Sequence, residues 1–151
     1  LFNAARRNQL EFLLEIIVSR HHKYQNKDIL TVIDRLYRLG IRPDWWKLEP
    51  LTSSQGWQKL DDAIISWDSS CRGILLLGLD QPLNMLSESF KLAGKSRLVK
   101  GFAVGRSIFR QPADDWFSGK MTDKECIKIM SKHFQRLCDI WISSSQDIFD
   151  S

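Results

Sequence analysis

The sequence predicts an α/β fold in which helices cover a parallel sheet. Four short apolar segments alternate with longer segments of helical periodicity, which gives the order α-β-α-β-α-β-α-β-α. Parallel strands need long crossover connections, and the helices in those crossovers cover the sheet. The composition agrees, because 43% of the 151 residues are hydrophobic and 26% are charged, as in ordinary globular proteins. We expect one domain over residues 1–151.

The predicted strands are the four apolar segments, at residues 12–18, 45–49, 73–79 and 99–104. The third segment is almost continuously hydrophobic, which is typical of a strand buried on both faces. The strands begin 26–33 residues apart, against roughly 31 residues for each unit of an eight-unit TIM barrel. A small doubly wound sheet and part of a TIM barrel are both compatible with the alternation. The spacing favours four βα units, which amount to half of a barrel.

Helical periodicity and end signals predict the helices in order. Residues 1–8 are expected to be the end of a helix, and residues 28–39 form an apolar stripe that Gly40 stops. The next helix spans residues 57–67, and the one after it opens at Pro82 and stops near Gly94. Residues 122–125 have the capping-box form and introduce a long amphipathic helix. Its predicted apolar face contains Cys126, Met130, Phe134, Leu137, Cys138 and Trp141. The polar tail, 143–151, is expected to lie outside the core.

Charge and cysteine usage argue against several classes of protein. The formal charge is only +4, and the basic clusters at residues 20–23 and 95–100 are expected to be solvated surface rather than a nucleic-acid site. The longest apolar run, residues 74–77, is too short to span a bilayer, and no secretion signal opens the chain. The three cysteines have no CxxC spacing, which predicts reduced thiols of a cytoplasmic protein without a zinc site.

Lys47 is the first candidate catalytic residue. It lies near the carboxyl end of an otherwise apolar predicted strand, where a TIM barrel places its active site. A lysine amine can form a Schiff base with a carbonyl compound. Since side chains alternate along a strand, Lys47 and Glu49 face the same side, so a structural Lys–Glu pair is the alternative interpretation.

Glu15 is the second candidate, a lone carboxylate in the apolar first strand. A buried carboxylate suits proton transfer, whereas a glutamate at a strand end that reaches solvent or pairs with an arginine has only a structural role. On adjacent strands, Glu15 and Lys47 would face one another inside a barrel.

A phosphate site is predicted where the third and fourth strands end. Gly78 and Gly105 allow close backbone approach, and a short helix after Gly105 would direct N–H groups and the Arg106 guanidinium at a phosphate. TIM barrels often bind phosphate after their seventh and eighth strands. Glycines also occur in ordinary turns, which is the alternative interpretation.

Three segments carry a resemblance to known proteins. Residues 45–50 (WWKLEP), 76–80 (LLGLD) and 99–109 (VKGFAVGRSIF) resemble a domain of myo-inositol catabolism that is often fused behind 5-dehydro-2-deoxygluconokinase. More distantly, the pattern is similar to class I aldolases of the tagatose 1,6-bisphosphate aldolase type. The resemblance implies strands five to eight of a TIM barrel, with Lys47 as the Schiff-base lysine and Glu15 as the carboxylate of the fifth strand. It also implies a phosphate site at Gly78, Gly105 and Arg106.

The resemblance implies a function in sugar-acid metabolism. The substrate would be 2-deoxy-5-keto-gluconate 6-phosphate, cleaved to dihydroxyacetone phosphate and malonate semialdehyde without a metal or other cofactor, because the iminium replaces the metal. Four strands are only half of a barrel, so we expect the isolated chain to be inactive and to self-associate or to need an N-terminal half-barrel. The alternative is a non-catalytic sugar-phosphate-binding or assembly module attached to a sugar kinase.

Overall fold

The computed structural model describes residues 1–19 and 25–145 and contains a four-stranded, all-parallel sheet. The strands lie in chain order and are β1 (Leu13–Ile16), β2 (Trp45–Leu48), β3 (Gly73–Leu77) and β4 (Val99–Ala103). The helices are α1 (Phe2–Arg7), α2 (Asn26–Arg38), α3 (Ser54–Trp67), α4 (Leu83–Ala93), α5 (Arg106–Phe117) and α6 (Asp123–Ser145). This confirms the predicted α/β class and is consistent with half of a TIM-type barrel. Each strand ends one or two residues before its predicted end.

Side-chain caps fix where several helices begin. Gln25 caps α2, and its backbone N–H donates to the Asp28 carboxylate at 2.8 Å. At α3, the Ser53 hydroxyl accepts a hydrogen bond from the N–H of Gly56 at 3.1 Å. The capping box predicted before α6 is present, because the N–H of Thr122 donates to the Glu125 carboxylate at 2.9 Å. These bonds satisfy N–H groups that a helix leaves unpaired in its first turn.

The core lies on one face of the sheet, called here the helix-covered face. Alternate side chains of the strands point to it, and those of the two central strands, Trp46, Leu48, Ile74 and Leu76, are fully buried. Apolar residues of α2, α3, α4 and α6 pack against them and complete one continuous cluster. Each crossover therefore places its helix on the same side of the sheet.

The other face of the sheet, called here the inner face, carries Leu13, Glu15, Trp45, Lys47, Leu75, Leu77 and Ala103. Among the described residues, none of these seven belongs to the core cluster. Leu13 is 43% exposed, although leucines in a parallel sheet are normally buried. Leu77, at the end of β3, is only 6% exposed, but the other six are partly or fully exposed, so the two faces of the same strands differ in burial.

The helix after β4 is longer than the short helix that the sequence predicts. It continues through Pro112, which has no N–H to donate to the carbonyl of Ile108 one turn earlier. His133 of α6 lies against that carbonyl, with its Nδ1 2.9 Å from the oxygen. Since a carbonyl only accepts, Nδ1 carries the hydrogen, and the bond joins α5 to α6.

The predicted apolar face of the last helix is wrong in part, and the helix extends into the predicted polar tail. Phe134, expected on the apolar face, is 52% exposed, while Cys126 and Leu137 are buried as predicted. The helix continues to Ser145, and Gly94 packs closely against the backbone of Ser144, so the beginning of the predicted polar tail belongs to the helix. The rest of the tail, 146–151, and the basic cluster at residues 20–23 lie outside the described residues.

Candidate functional site

A cavity of about 290 Å³ opens at the carboxyl edge of the sheet, where all four strands end. Strand and loop residues form one part of its wall, and the first turn of α5 forms the other. All five residues predicted as catalytic or phosphate-binding line this cavity: Glu15, Lys47, Gly78, Gly105 and Arg106. They come from four separate segments, which the parallel sheet brings together.

The amine and the carboxylate predicted to face one another do so. Glu15 and Lys47 are register partners on β1 and β2, and Lys47 Nζ lies 2.7 Å from Glu15 Oε2. Neither side chain is buried, because Lys47 is 23% exposed and Glu15 is 41% exposed, so Glu15 agrees with the alternative of a glutamate that reaches solvent. The inner face, on which both lie, has no covering layer among the described residues.

Glu49 does not support Lys47, contrary to the alternative interpretation of the sequence. It follows the last residue of β2 and is only 1% exposed. Its Oε2 accepts hydrogen bonds from the backbone N–H groups of Val18 at 2.6 Å and Ser19 at 3.1 Å. Glu49 therefore fixes the backbone just after β1, and the amine of Lys47 pairs with Glu15 instead.

Gly78 is required by packing where β3 ends. A Cβ atom at this position would lie 2.7 Å from Cγ1 of Val104, closer than side chains approach. The absence of a side chain lets the ends of β3 and β4 come together at the cavity.

Arg106 begins α5, whose N-terminus faces the cavity. Gly105 is the N-cap, and its carbonyl accepts the N–H of Ile108 at 2.8 Å, which closes the first turn. Within residues 1–19 and 25–145, the Arg106 guanidinium has no ion-pair partner. A free guanidinium and the positive end of a helix dipole make this part of the cavity suited to an anion.

The sequence analysis missed two polar residues of the cavity. Asp80 lies in the loop after β3 and forms an ion pair with Arg110 of α5. Ser107, next to Arg106, has a buried hydroxyl oxygen without a hydrogen-bond partner in the described structure. Both lie in segments that carry the resemblance. Asp80 is two residues after Gly78 and Ser107 is next to Arg106, and this proximity in sequence could have identified them as residues of the site.

The fold and the cavity define the class of this protein: a parallel α/β domain, consistent with half of a TIM-type barrel, with an amine, a carboxylate and a guanidinium at the carboxyl edge of its sheet. No helix among the described residues is both long and apolar enough to cross a membrane.

The chain belongs to the DUF2090 family, described as uncharacterized proteins conserved in bacteria, whose model matches residues 1–145. None of the curated proteins compared with the chain matches it.

Proposed function

We propose that the cavity is a class I, Schiff-base aldolase-type site for a phosphorylated keto-sugar acid. The observation that carries the proposal is the contact of 2.7 Å between Lys47 Nζ and Glu15 Oε2. The same cavity contains Arg106, which has no ion-pair partner within the described part of the chain. An amine beside a proton acceptor, with a cation nearby, is the set of groups that such a reaction needs.

In the proposed reaction, Lys47 gives up a proton to Glu15 and its amine attacks the keto carbon of the substrate. Glu15 returns this proton to the departing hydroxyl, which leaves as water, and the resulting iminium draws electrons from the bond between the α and β carbons of the substrate. Glu15 accepts the proton of the hydroxyl group as this bond breaks and an aldehyde leaves. The remaining enamine takes up a proton, and water releases the ketone product and the free amine. The cycle consumes no oxidant, no metal and no other cofactor.

The phosphate of the substrate would bind at the other end of the cavity. There, Arg106 supplies a guanidinium, the first turn of α5 supplies N–H groups, and Gly78 and Gly105 leave room for the phosphate. From the resemblance, we propose 2-deoxy-5-keto-gluconate 6-phosphate as substrate and dihydroxyacetone phosphate and malonate semialdehyde as products.

The proposal includes a second half of the site. Glu15 and Lys47 lie on an inner face that the described residues do not cover, so one side of any ligand would be in water. We propose that four further strands close this face, either from a second copy of the chain or from an N-terminal half-barrel. The isolated chain would bind phosphate and form the iminium, but it would not complete cleavage efficiently.

Borohydride trapping tests the Schiff base directly on this chain. After incubation with dihydroxyacetone phosphate and reduction, mass spectrometry should find one adduct on Lys47. The Lys47→Met variant should show none, whereas Lys59→Met, which removes an exposed lysine of α3, should be labelled like the unaltered chain. An adduct distributed over several lysines, or unchanged in Lys47→Met, would refute the proposal.

Arg106→Ala tests the phosphate end of the cavity. A charge-assisted hydrogen bond to phosphate contributes about 1.5–3 kcal/mol, so affinity for a phosphorylated ligand should fall about 10- to 150-fold. Calorimetry should show little change for the dephosphorylated analogue. Equal losses for both ligands would remove Arg106 from the site.

A second candidate function is a non-catalytic sugar-phosphate-binding module, such as one fused to a sugar kinase. It is favoured by the ion pair, since a lysine held by a carboxylate on an exposed face can be purely structural. Phosphate binding without any trapped adduct would support this function over the aldolase.

A further inference from the structure

The loop that follows β3 has an unusual backbone conformation. Leu79 and Asp80 are consecutive residues in the left-handed region, with φ angles of 49° and 63°. This region brings Cβ close to the following carbonyl oxygen, so residues other than glycine avoid it, leucine more than aspartate. Two such residues in succession persist only where surrounding contacts hold them.

Contacts at both ends hold this loop. The N–H of Gln81 donates to the carbonyl of Gly78 at 2.9 Å, which closes a tight turn. The carboxylate of Asp80, whose side chain is 21% exposed, forms an ion pair with the guanidinium of Arg110. Arg110 lies in α5, thirty residues further along the chain, so the ion pair joins the loop after β3 to the helix after β4.

These two elements are the two walls of the proposed anion site. Gly78, Leu79 and Asp80 line the cavity from one side, and Arg106 and Ser107 line it from the other. Arg110 lies in an adjoining cleft, which Asp80, Arg106 and Ser107 also line. The ion pair therefore lies where the two spaces adjoin, and it connects the two walls.

We infer that Asp80 and Arg110 are positioning residues, which hold the strained loop at a fixed distance from the N-terminus of α5 and so preorganise the cavity for a phosphate group. The inference rests on the proposed function, since it concerns the same anion site. Neither side chain is a phosphate ligand. Binding improves when the walls of a site are already held in the bound geometry, because less conformational freedom is lost.

The decisive variant is Asp80→Asn. It removes a negative charge beside the site, so simple electrostatics predicts tighter binding of an anion. The positioning role predicts the opposite, because the neutral amide weakens the ion pair. Asparagine tolerates the left-handed region well, so the variant should keep its fold. We expect the dissociation constant for inorganic phosphate, measured by calorimetry, to rise about three- to tenfold.

Two further variants complete the test. Arg110→Gln should weaken phosphate binding. The double variant with Asp80→Asn and Arg110→Gln should bind phosphate about as strongly as whichever single variant binds it more weakly, because both changes break the same ion pair. Arg38→Gln is the control, since it removes the same charge from an exposed pair with Asp34 on α2. Its phosphate affinity should stay unchanged.

The outcomes separate this inference from the proposed function. If the unaltered chain binds phosphate and Asp80→Asn binds it equally or more tightly, the positioning role is refuted while the anion site stands. If the unaltered chain does not bind phosphate, both the site and the positioning role are refuted. Circular dichroism spectra that match the unaltered chain ensure that a loss of binding comes from the site.

Discussion

Replacing Glu49 by alanine should destabilise the protein more than alanine replacement of either acidic residue of the cavity, Glu15 or Asp80. Glu49 is 1% exposed, and its carboxylate accepts the N–H of Val18 at 2.6 Å and the N–H of Ser19 at 3.1 Å. Val18 is itself buried, so water cannot replace the carboxylate there, whereas Ser19 is exposed and can bind water instead. The variant therefore leaves one buried donor without a partner.

The magnitude follows from these two bonds. A hydrogen bond to a charged group contributes about 1.5–3 kcal/mol, and a buried donor left unpaired costs about 1–3 kcal/mol. Since only the bond from Val18 is lost without replacement, we expect Glu49→Ala to lower the free energy of unfolding by about 1.5–3 kcal/mol. For a chain of this length, that corresponds to a fall in Tm of about 3–12 °C.

Urea unfolding followed by tryptophan fluorescence measures the effect. Glu88→Ala is the matched control, because Glu88 is mostly exposed and, among the described residues, forms an ion pair only with Lys91 on its own helix, so its loss should stay within about 0.5 kcal/mol. Glu49→Gln should lie between the two, since an amide oxygen still accepts but without charge assistance. A Glu49→Ala midpoint equal to that of the control would refute this account of Glu49.

Three other predictions follow from contacts outside the cavity and from the inner face. Burial raises the pKa of the Asp61 carboxyl, although hydrogen bonds from Ser96 and Arg97 act in the opposite direction. Because the folded-state pKa lies above the unfolded value, the free energy of unfolding should fall as the pH rises from about 4 through the folded-state pKa. In urea titrations, this slope should appear in the difference between the unaltered chain and Asp61→Asn, and a flat difference would contradict it. His133→Phe should cost about 1–3 kcal/mol by leaving the Ile108 carbonyl without a donor, and His133→Asn should recover part of that loss, whereas equal losses would contradict the role of the hydrogen bond. Light scattering should find the chain self-associated at micromolar concentration, because its inner face exposes apolar strand residues, and a stable monomer would refute that expectation.

The pairing of Glu15 with Lys47 could be predicted because it depends only on local rules. Each residue is the third of its strand, and consecutive strands of an alternating α/β chain lie side by side. Side chains of register partners then point to the same face. The positions of Gly78 and Arg106 at the same edge follow from the same rules, since all parallel strands end there.

Burial could not be predicted in the same way. Apolar neighbours in sequence left open whether Glu15 is enclosed or reaches solvent, because enclosure depends on what covers the inner face, and no strand pattern specifies that. Glu49 is buried although the sequence did not indicate it. The alternation of side chains along a strand places Glu49 on the same side as Lys47 only if the strand includes Glu49. The strand ends at Leu48, and the carboxylate binds the backbone after β1 instead.

The left-handed conformation of the loop after β3 could not be predicted from the sequence either. Left-handed turns are normally signalled by glycine or asparagine, and here leucine and aspartate adopt the conformation. The apolar pattern extended the predicted strand through Leu79 for this reason. The contact that holds the loop comes from Arg110, and a pattern read over neighbouring residues does not reveal so distant a partner.

The position of the Glu15–Lys47 pair distinguishes the two architectures that the sequence left open. In a doubly wound sheet, a second layer of helices would cover the inner face and remove both charges from water, which costs several kcal/mol for each ion before any compensation. In a barrel, four further strands cover the apolar residues of the same face while the carboxyl end stays open. The pair lies at that end and lines a cavity that reaches solvent. Barrel closure would therefore bury Leu13, Trp45 and Leu75 without enclosing the two charges, and the chemistry of the inner face favours the barrel over the doubly wound sheet.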